Sequence, residues 1–335
     1  MPNIKTLAKE AGVSVASASR AMSNPQRVSE VTRLKVLDAA KRIGYTPNRM
    51  GAGLRTSKSG NILVIVPDAC DTFNFGVVKA MEHAASENGY SVLLGDTQGL
   101  RERELAYGDM ARAKQADALA VFSSRLPYDD VNEAQLANLP PMVNSCEKIP
   151  NCDVPYISID NELAAYEATK HLIDLGHKHI AAITGHIDAP STGDRINGYK
   201  RALIEHGIEP DSDLIEIGHY NLASGEEHAS KLLVKKNRPT AIFCFSDEIA
   251  IGCIHLLLKL GYSVPNDMSV IGIDDISFAH YLNPPLTTIA QPVSAIGEKC
   301  IEVLINQLKG ETSEQSEYIL PHKLIIRNST APPKQ

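Results

Sequence analysis

Ile4-Lys-Thr-Leu-Ala-Lys-Glu-Ala-Gly-Val-Ser-Val-Ala-Ser-Ala-Ser-Arg20 opens the 335-residue chain with two short helical patterns separated by a glycine. Ile4, Leu7, Ala8 and Ala11 recur at helical spacing, and Gly12 supplies a stop. Ser14 stands where a side-chain oxygen can cap a second helix, Val15 to about Met22. Helix, glycine-containing turn and helix make the helix-turn-helix plan. Asn24-Pro25 closes the segment, and Ser29 with Thr32 opens a third helix. Its apolar residues Val31, Leu34, Val36, Leu37, Ala40 and Ile43 are expected to form one face over the first two helices. The head so defined covers residues 1–46.

Charge sets this head apart. Residues 1–60 hold eleven Lys/Arg and three acids, a net +8, whereas the whole chain carries −7 and the remainder therefore −15. A basic head on an acidic body is the footprint of a small nucleic-acid-binding module whose contacts are confined to the head. In the helix-turn-helix arrangement the first residues of the second helix meet base edges in the major groove. Val15 and Ala16 suit thymine methyls, while Ser17 or Arg20 can read polar edges. Ser14, Ser19, Ser29, Thr32 and Asn48 are expected to contact phosphates.

Residues 47–60 read as a hinge. Pro47-Asn-Arg-Met-Gly-Ala-Gly-Leu-Arg55 leads into Thr-Ser-Lys-Ser-Gly60, small and polar. Asn48 can cap a short helix, but Gly51 and Gly53 each cost it about 1 kcal/mol relative to alanine. So short a helix is expected to form only on docking to DNA, since nucleation is costly.

The body, 61–335, alternates β-rich runs with helical stretches. Strands are expected to begin at Ile62, Ser91, Ala118, Met142, Tyr156, Ile180, Ala241 and Ser269. Helices are expected over Val77–Asn88, Glu102–Ala116, Leu163–Leu175, Arg195–His206 and Ile249–Leu260. Near-continuous apolar strands between amphipathic helices predict parallel sheets covered on both faces, here two doubly wound lobes. Ligands on such sheets bind beyond the strands' carboxyl ends. The polar strand-end residues there are Asp68, Asp96, Ser123, Asp160, Thr184, Ser246-Asp247 and Asp274-Asp275, any of which can equally be a helix cap.

Composition narrows the class. With 43% hydrophobic and 22% charged residues the chain reads as a soluble globular protein. No apolar run nears the roughly 20 residues that span a bilayer, so no membrane contact is expected. Met1-Pro-Asn-Ile-Lys5 has no apolar h-region, which predicts a cytoplasmic protein. Cys70, Cys146, Cys152, Cys244, Cys253 and Cys300 form no C-x-x-C pair and read as small buried hydrophobes. His177-Lys-His179 lacks a third ligand nearby, so no metal is expected. No nucleophile motif or phosphate loop is present, so neither a cofactor nor catalysis is expected.

The opening stretch, with Ile43-Gly-Tyr-Thr-Pro-Asn48, resembles the Lac repressor family closely. The resemblance continues through Leu175-Gly-His-Lys-His-Ile-Ala-Ala-Ile-Thr-Gly185, Arg195-Ile-Asn-Gly-Tyr199, Arg238–Asp247, Val264–Asp275 and Asn283–Pro292. It implies a periplasmic-binding-protein-like core whose N-lobe takes about 61–160 and 291–320. The C-lobe then takes about 161–290 and 321–331. It also implies paired hinge helices in the minor groove with Leu54 as the wedge, which makes Asn48, Gly51 and Leu54 candidate DNA contacts. Carried over position by position, Arg195 and Asp274 anchor polar groups of an effector, and Tyr220 stacks on it. Phe73-Asn74-Phe75 are presented by the N-lobe, and Ser191, Ser246 and Asp247 are secondary.

Ile62–Asp68, Cys70-Asp71, Ser124–Pro127, Leu139–Val143 and Leu324–Arg327 look most like the cytidine-responsive repressors of gamma-proteobacteria. That implies operator DNA and a nucleoside inducer as partners, together with cooperation with the cyclic-AMP receptor protein. Asn144-Ser-Cys146-Glu147 departs from the pattern usual there, and Ala189 stands where purine-responsive relatives carry arginine. A homodimer is expected through the N-lobe and helices such as Val77–Asn88 and Ile296–Leu308. A repressor answering to a sugar or purine remains an alternative. A nucleoside-processing enzyme and a transport-type solute receptor are remote ones.

Overall fold

The computed structural model describes residues 2–46, 58–129, 131, 135, 138–311 and 315–334. Asn48, Gly51 and Leu54 lie outside them. The chain divides into two compact units, 1–59 and 60–335.

In the first unit α1 (Ile4–Glu10), α2 (Val15–Ser23) and α3 (Glu30–Ile43) each start behind a side-chain cap. Asn3 Oδ1 accepts from the Lys5 and Thr6 amides, Ser14 Oγ from Ser17, and Ser29 Oγ from Thr32. Gly44, at φ 62°, closes α3 in a left-handed cap that favours glycine. Leu7, Ala8, Ala18, Ala21, Val36, Ala39 and Ala40 form the core. Val31 and Leu34 do not join it: they are 65% and 58% exposed. The inward stripe of α3 runs Thr32–Val36–Ala39–Ala40–Ile43, and 100° per residue puts 31 and 34 on the opposite side. Arg42, paired with Asp38 and Glu10, fastens α3 to α1.

The second unit contains two six-stranded sheets. The first runs in the order β11-β5-β4-β3-β1-β2 and the second β12-β10-β9-β8-β6-β7. The strands of the first are β1 (Asn61–Val66), β2 (Ser91–Asp96), β3 (Ala118–Val121), β4 (Met142–Ser145), β5 (Tyr156–Ile159) and β11 (Glu317–Leu320). Those of the second are β6 (Ile180–Ile183), β7 (Ile215–Glu216), β8 (Ala241–Cys244), β9 (Ser269–Asp274), β10 (Thr287–Ala290) and β12 (Lys323–Ile325). Every pairing is parallel except β10 with β12, which is antiparallel. The chain thus passes from the first sheet to the second after β5, returns after β10 and passes again after β11. Such double winding buries both faces, which is why Ile62–Val66 and Ala241–Cys244 are apolar without alternation.

The helices are α4 (Thr72–Glu87), α5 (Arg101–Arg112), α6 (Asn161–Asp174), α7 (Pro190–Glu205), α8 (Leu222–Leu233), α9 (Asp247–Lys259) and α10 (Val293–Leu308). Two begin five residues before the periodic apolar pattern does. Asp71 caps α4, and Pro190 with its preset φ starts α7. Their polar first turns hide them from a hydrophobic-period reading, yet those turns carry Phe73, Asn74 and Ser191. Sequence periodicity also passed over α8 and the short strands β7, β10, β11 and β12. In the first lobe α4 and α10 lie so close that a Cβ on Gly297 would stand 2.7 Å from the Val77 carbonyl oxygen. Cys244, Cys253 and Cys300 are buried as expected, but Cys70 is exposed and Cys146 and Cys152 are half-buried.

The C-terminal segment is strapped to the second lobe. Ser329 exchanges backbone and side-chain bonds with Val270 and Thr287. His177 takes Thr240, Ser269 and the Ala331 carbonyl as partners. That arrangement gives His177 a structural place among neutral groups, and burial pushes its pKa down. Among the described residues no cluster suited to a metal occurs, and no helix is long and apolar enough to cross a membrane.

Candidate functional site

Residues beyond the carboxyl ends of both sheets meet between the lobes. On the second lobe Arg195, 6% exposed, projects from the second turn of α7. Its Nε donates to Asn161 Oδ1 at 2.9 Å and its Nη1 to the Phe245 carbonyl. Two of its five N–H groups are thus committed to holding the guanidinium in place. Tyr220 lies beside it, the guanidinium carbon 5.8 Å from the ring centre. The Tyr220 hydroxyl pairs with Thr192 Oγ1 at 2.7 Å and with Ser191 Oγ at 3.4 Å. Gly185, after β6, leaves room for the ring: a Cβ there would fall 2.0 Å from Tyr220 Cζ.

Asp274 ends β9 at φ 123°, a backbone conformation that L side chains rarely adopt, and Asp275 follows at φ 55°. Gln291 Nε2 donates to Asp274 Oδ1 at 2.8 Å. Burial raises the Asp274 pKa well above the ordinary carboxylate range; Arg195 opposes the shift and the charge of Asp71 adds to it. Asp71, from the first lobe, is itself raised to about 6, by burial first and by Glu248 and Asp68 next, against the Asn74 amide. Acids of both lobes and one guanidinium therefore share a poorly hydrated space.

Two carboxylates reach from one lobe to the other. Glu147, just beyond β4, accepts from the Ser191 amide at 3.1 Å and from the Ser191 hydroxyl. Glu248, on α9, accepts from the Thr72 amide at 3.1 Å and the Thr72 hydroxyl at 3.0 Å. Phe73 packs against the apolar cores of both lobes.

The structure thus gathers Ser191, Arg195, Tyr220, Asp274 and Phe73. Asn74 lies in the first turn of α4, its amide bonded to Asp71, while Phe75 is 56% exposed. Ser246 and Asp247 have duties inside the second lobe. Ser246 caps α9 through the Ile249 amide. Asp247, fully buried, accepts from Thr288 Oγ1 at 2.6 Å and the Ile276 amide at 2.9 Å. Sequence reasoning did not single out Asn161, Thr192, Glu248 or Gln291, and it left Glu147 in doubt. The acids after β4 and β8 were the available signal, since strand ends face the cleft. Surface hollows of about 330 and 240 Å³ lie elsewhere, lined by Lys178 and Tyr199 and by Pro140 and Gln307 respectively.

In the head, the described candidate DNA contacts lie at the start and along the second turn of α2 and at the start of α3. Val15, Ala16 and Arg20 are exposed along α2, and Ser17 and Ser19 half-buried. Ser14 and Ser17 share a hydroxyl contact of 2.9 Å, as do Ser29 and Thr32. The exposed Val15–Ala16 pair offers methyl groups, and the two capped helix starts offer backbone N–H groups suited to phosphate.

Comparison with known proteins agrees with both units. Residues 3–48 match the bacterial regulatory proteins of the lacI family, and residues 169–330 match a periplasmic binding protein-like domain. The HTH-type transcriptional repressor CytR of Escherichia coli is 39% identical over 98% of this chain and 96% of its own. Catabolite control protein A of Priestia megaterium is 34% identical and the repressor PurR of Vibrio vulnificus 31%, each over 98% of both chains. Among solved structures, a Lac repressor dimer bound to operator and the anti-inducer ONPF is 25% identical. It has a TM-score of 0.83, with 98% of this chain and 99% of that one covered. The regulator CelR in complex with cellobiose is 29% identical, with a TM-score of 0.73 over 98% of this chain and 100% of that one. The chain belongs to the lacI family of bacterial regulatory proteins, as a transcriptional repressor with a helix-turn-helix head and a periplasmic-binding-protein-like effector domain.

Proposed function

We propose that the repressor binds a pseudo-palindromic operator as a homodimer and is released by cytidine or a related nucleoside held in the cleft. The observation that carries the effector reading is the meeting of Arg195, Asp274 and Tyr220 at one place, with Asp71 and Phe73 of the other lobe opposite. Arg195 has donors for a base carbonyl or ring nitrogen, Asp274 accepts from ribose hydroxyls, and Tyr220 offers a ring to a planar base. Asp71, Glu147, Asp274 and Glu248 surround one guanidinium, and the burial that raises the pKa of the first three also disfavours a phosphate dianion, so a neutral hydroxyl-rich ligand fits better than a phosphorylated one. The sequence marks shared with cytidine-responsive repressors, and the 39% identity to CytR, favour a nucleoside. Cooperation with the cyclic-AMP receptor protein belongs to the same reading. The operator-bound Lac repressor dimer supports two heads on one two-fold site. The N-lobe, with α4 and α10, is our proposed dimer surface, and a soluble cytoplasmic protein is the setting this role requires. The cellobiose complex of CelR favours a second reading, in which the ligand is a sugar.

Calorimetric titration of the full chain with cytidine, adenosine, hypoxanthine, cellobiose and cytidine monophosphate separates these. Cytidine should bind, and its monophosphate at least tenfold more weakly. Heat from hypoxanthine or cellobiose alone would remove the nucleoside assignment. A gel-shift assay on the operator with added cytidine tests release directly; unchanged operator affinity under saturating cytidine would remove its role as inducer.

A further inference from the structure

An α-helix leaves its first amides without internal partners, and a side chain just before it ordinarily takes one of them. The start of α7 breaks that habit. Its N-cap residue is Ala189, which offers no side-chain acceptor, and the Ser191 amide goes instead to Glu147 of the other lobe. The start of α4 mirrors this. Asp71 serves the Asn74 amide, but the Thr72 amide and hydroxyl both go to Glu248 of the other lobe. Each lobe therefore places a carboxylate on a helix start of the other. Both carboxylates also sit at the positive end of a 16-residue helix dipole. The Glu147 contact spans 44 residues of sequence and the Glu248 contact 176, so neither is a local turn.

We infer that Glu147 and Glu248 form a reciprocal latch that couples the two lobes, each carboxylate holding a helix start of the other lobe. The latch takes the Ser191 amide and hydroxyl but leaves Arg195 and Asp274 out of its own bonds, so it borders the place a ligand would take. Separating the lobes as bodies would break both caps together, because each contact joins one lobe to the other. This goes beyond the assignment of a ligand and stands whatever the cleft holds.

Hydrogen exchange on the full chain without ligand tests it, read at the Ser191 and Thr72 amides. Glu147→Ala should speed exchange at Ser191 by roughly fivefold or more, the loss of one cap. It should also speed exchange at Thr72, which it does not touch. Glu248→Ala should do the reverse. A far-site response in both directions establishes one closing equilibrium. Acceleration confined to the near amide in each variant overturns the latch and leaves two unrelated caps; no acceleration anywhere overturns it too. If an alanine variant fails to fold by its thermal melt, Glu147→Gln and Glu248→Gln keep the volume and one acceptor. They should then give the same pattern at smaller amplitude, and a purely local pattern there is equally fatal.

Discussion

Replacing Gly185 with alanine isolates the clamp on Tyr220. Gly185 does not occupy the left-handed region of backbone space, so alanine brings no backbone strain. The whole effect is steric. The new Cβ would stand 2.0, 2.1 and 2.5 Å from Tyr220 Cζ, Cε2 and Cε1. Ordinary contact needs about 3.5 Å, so the ring must retreat by more than an ångström. It cannot do so while its hydroxyl stays 2.7 Å from Thr192 Oγ1. Overpacking costs about 1–3 kcal/mol and a lost hydrogen bond about 1 kcal/mol. A total of about 2–4 kcal/mol, at about 2 °C per kcal/mol for a domain of this size, corresponds to a fall of roughly 4–8 °C in melting temperature. The decisive assay is a double-mutant cycle by thermal melting and cytidine calorimetry. In a Tyr220→Ala background the clashing atoms are gone, and Gly185→Ala should then cost almost nothing. An equal loss in both backgrounds would refute the clamp, because the strain would have to arise elsewhere.

Three further outcomes follow from the same contacts. Ser14→Ala removes the acceptor of the Ser17 amide and should cost the head about 1 kcal/mol, lowering operator affinity in a gel shift; wild-type affinity and melting would refute the cap. Asp247→Ala strands Thr288 Oγ1 and the Ile276 amide in a dry interior and should cost about 3 kcal/mol or more in denaturant melts, whereas a change below 1 kcal/mol would show that these bonds are replaceable. Asp71, raised to about 6 by burial, contributes stability that is complete below its ordinary value of 3.8 and lost as pH rises through about 6. The melting temperature of wild type minus that of Asp71→Asn should therefore fall as pH rises from about 4.5 to 7, and a rising difference would reverse the sign of the argument.

The amino-acid order alone was enough for whatever rests on neighbours along the chain. Ser14 with Ser17 and Ser29 with Thr32 are three apart, so caps and helix starts in the head are legible as spacing. The apolar runs Ile62–Val66 and Ala241–Cys244 likewise announce buried parallel strands, and their alternation with helices announces two wound lobes. Spacing failed where a face had to be chosen. Val31 and Leu34 look like core residues until the packing of α1 and α2 picks the other side of α3. Family likeness proposed Arg195, Tyr220, Asp274 and Asp247 together, but only the folded body separates them. Asp247 is spent on Thr288 and Ile276 inside one lobe, while Asp274 feels charges from both. The partners of Ser191, Thr72 and Gly185 belong to the tertiary structure altogether. A carboxylate 44 or 176 residues away, or a ring against a bare α-carbon, becomes a neighbour only when two separate cores bring the ends of their strands together.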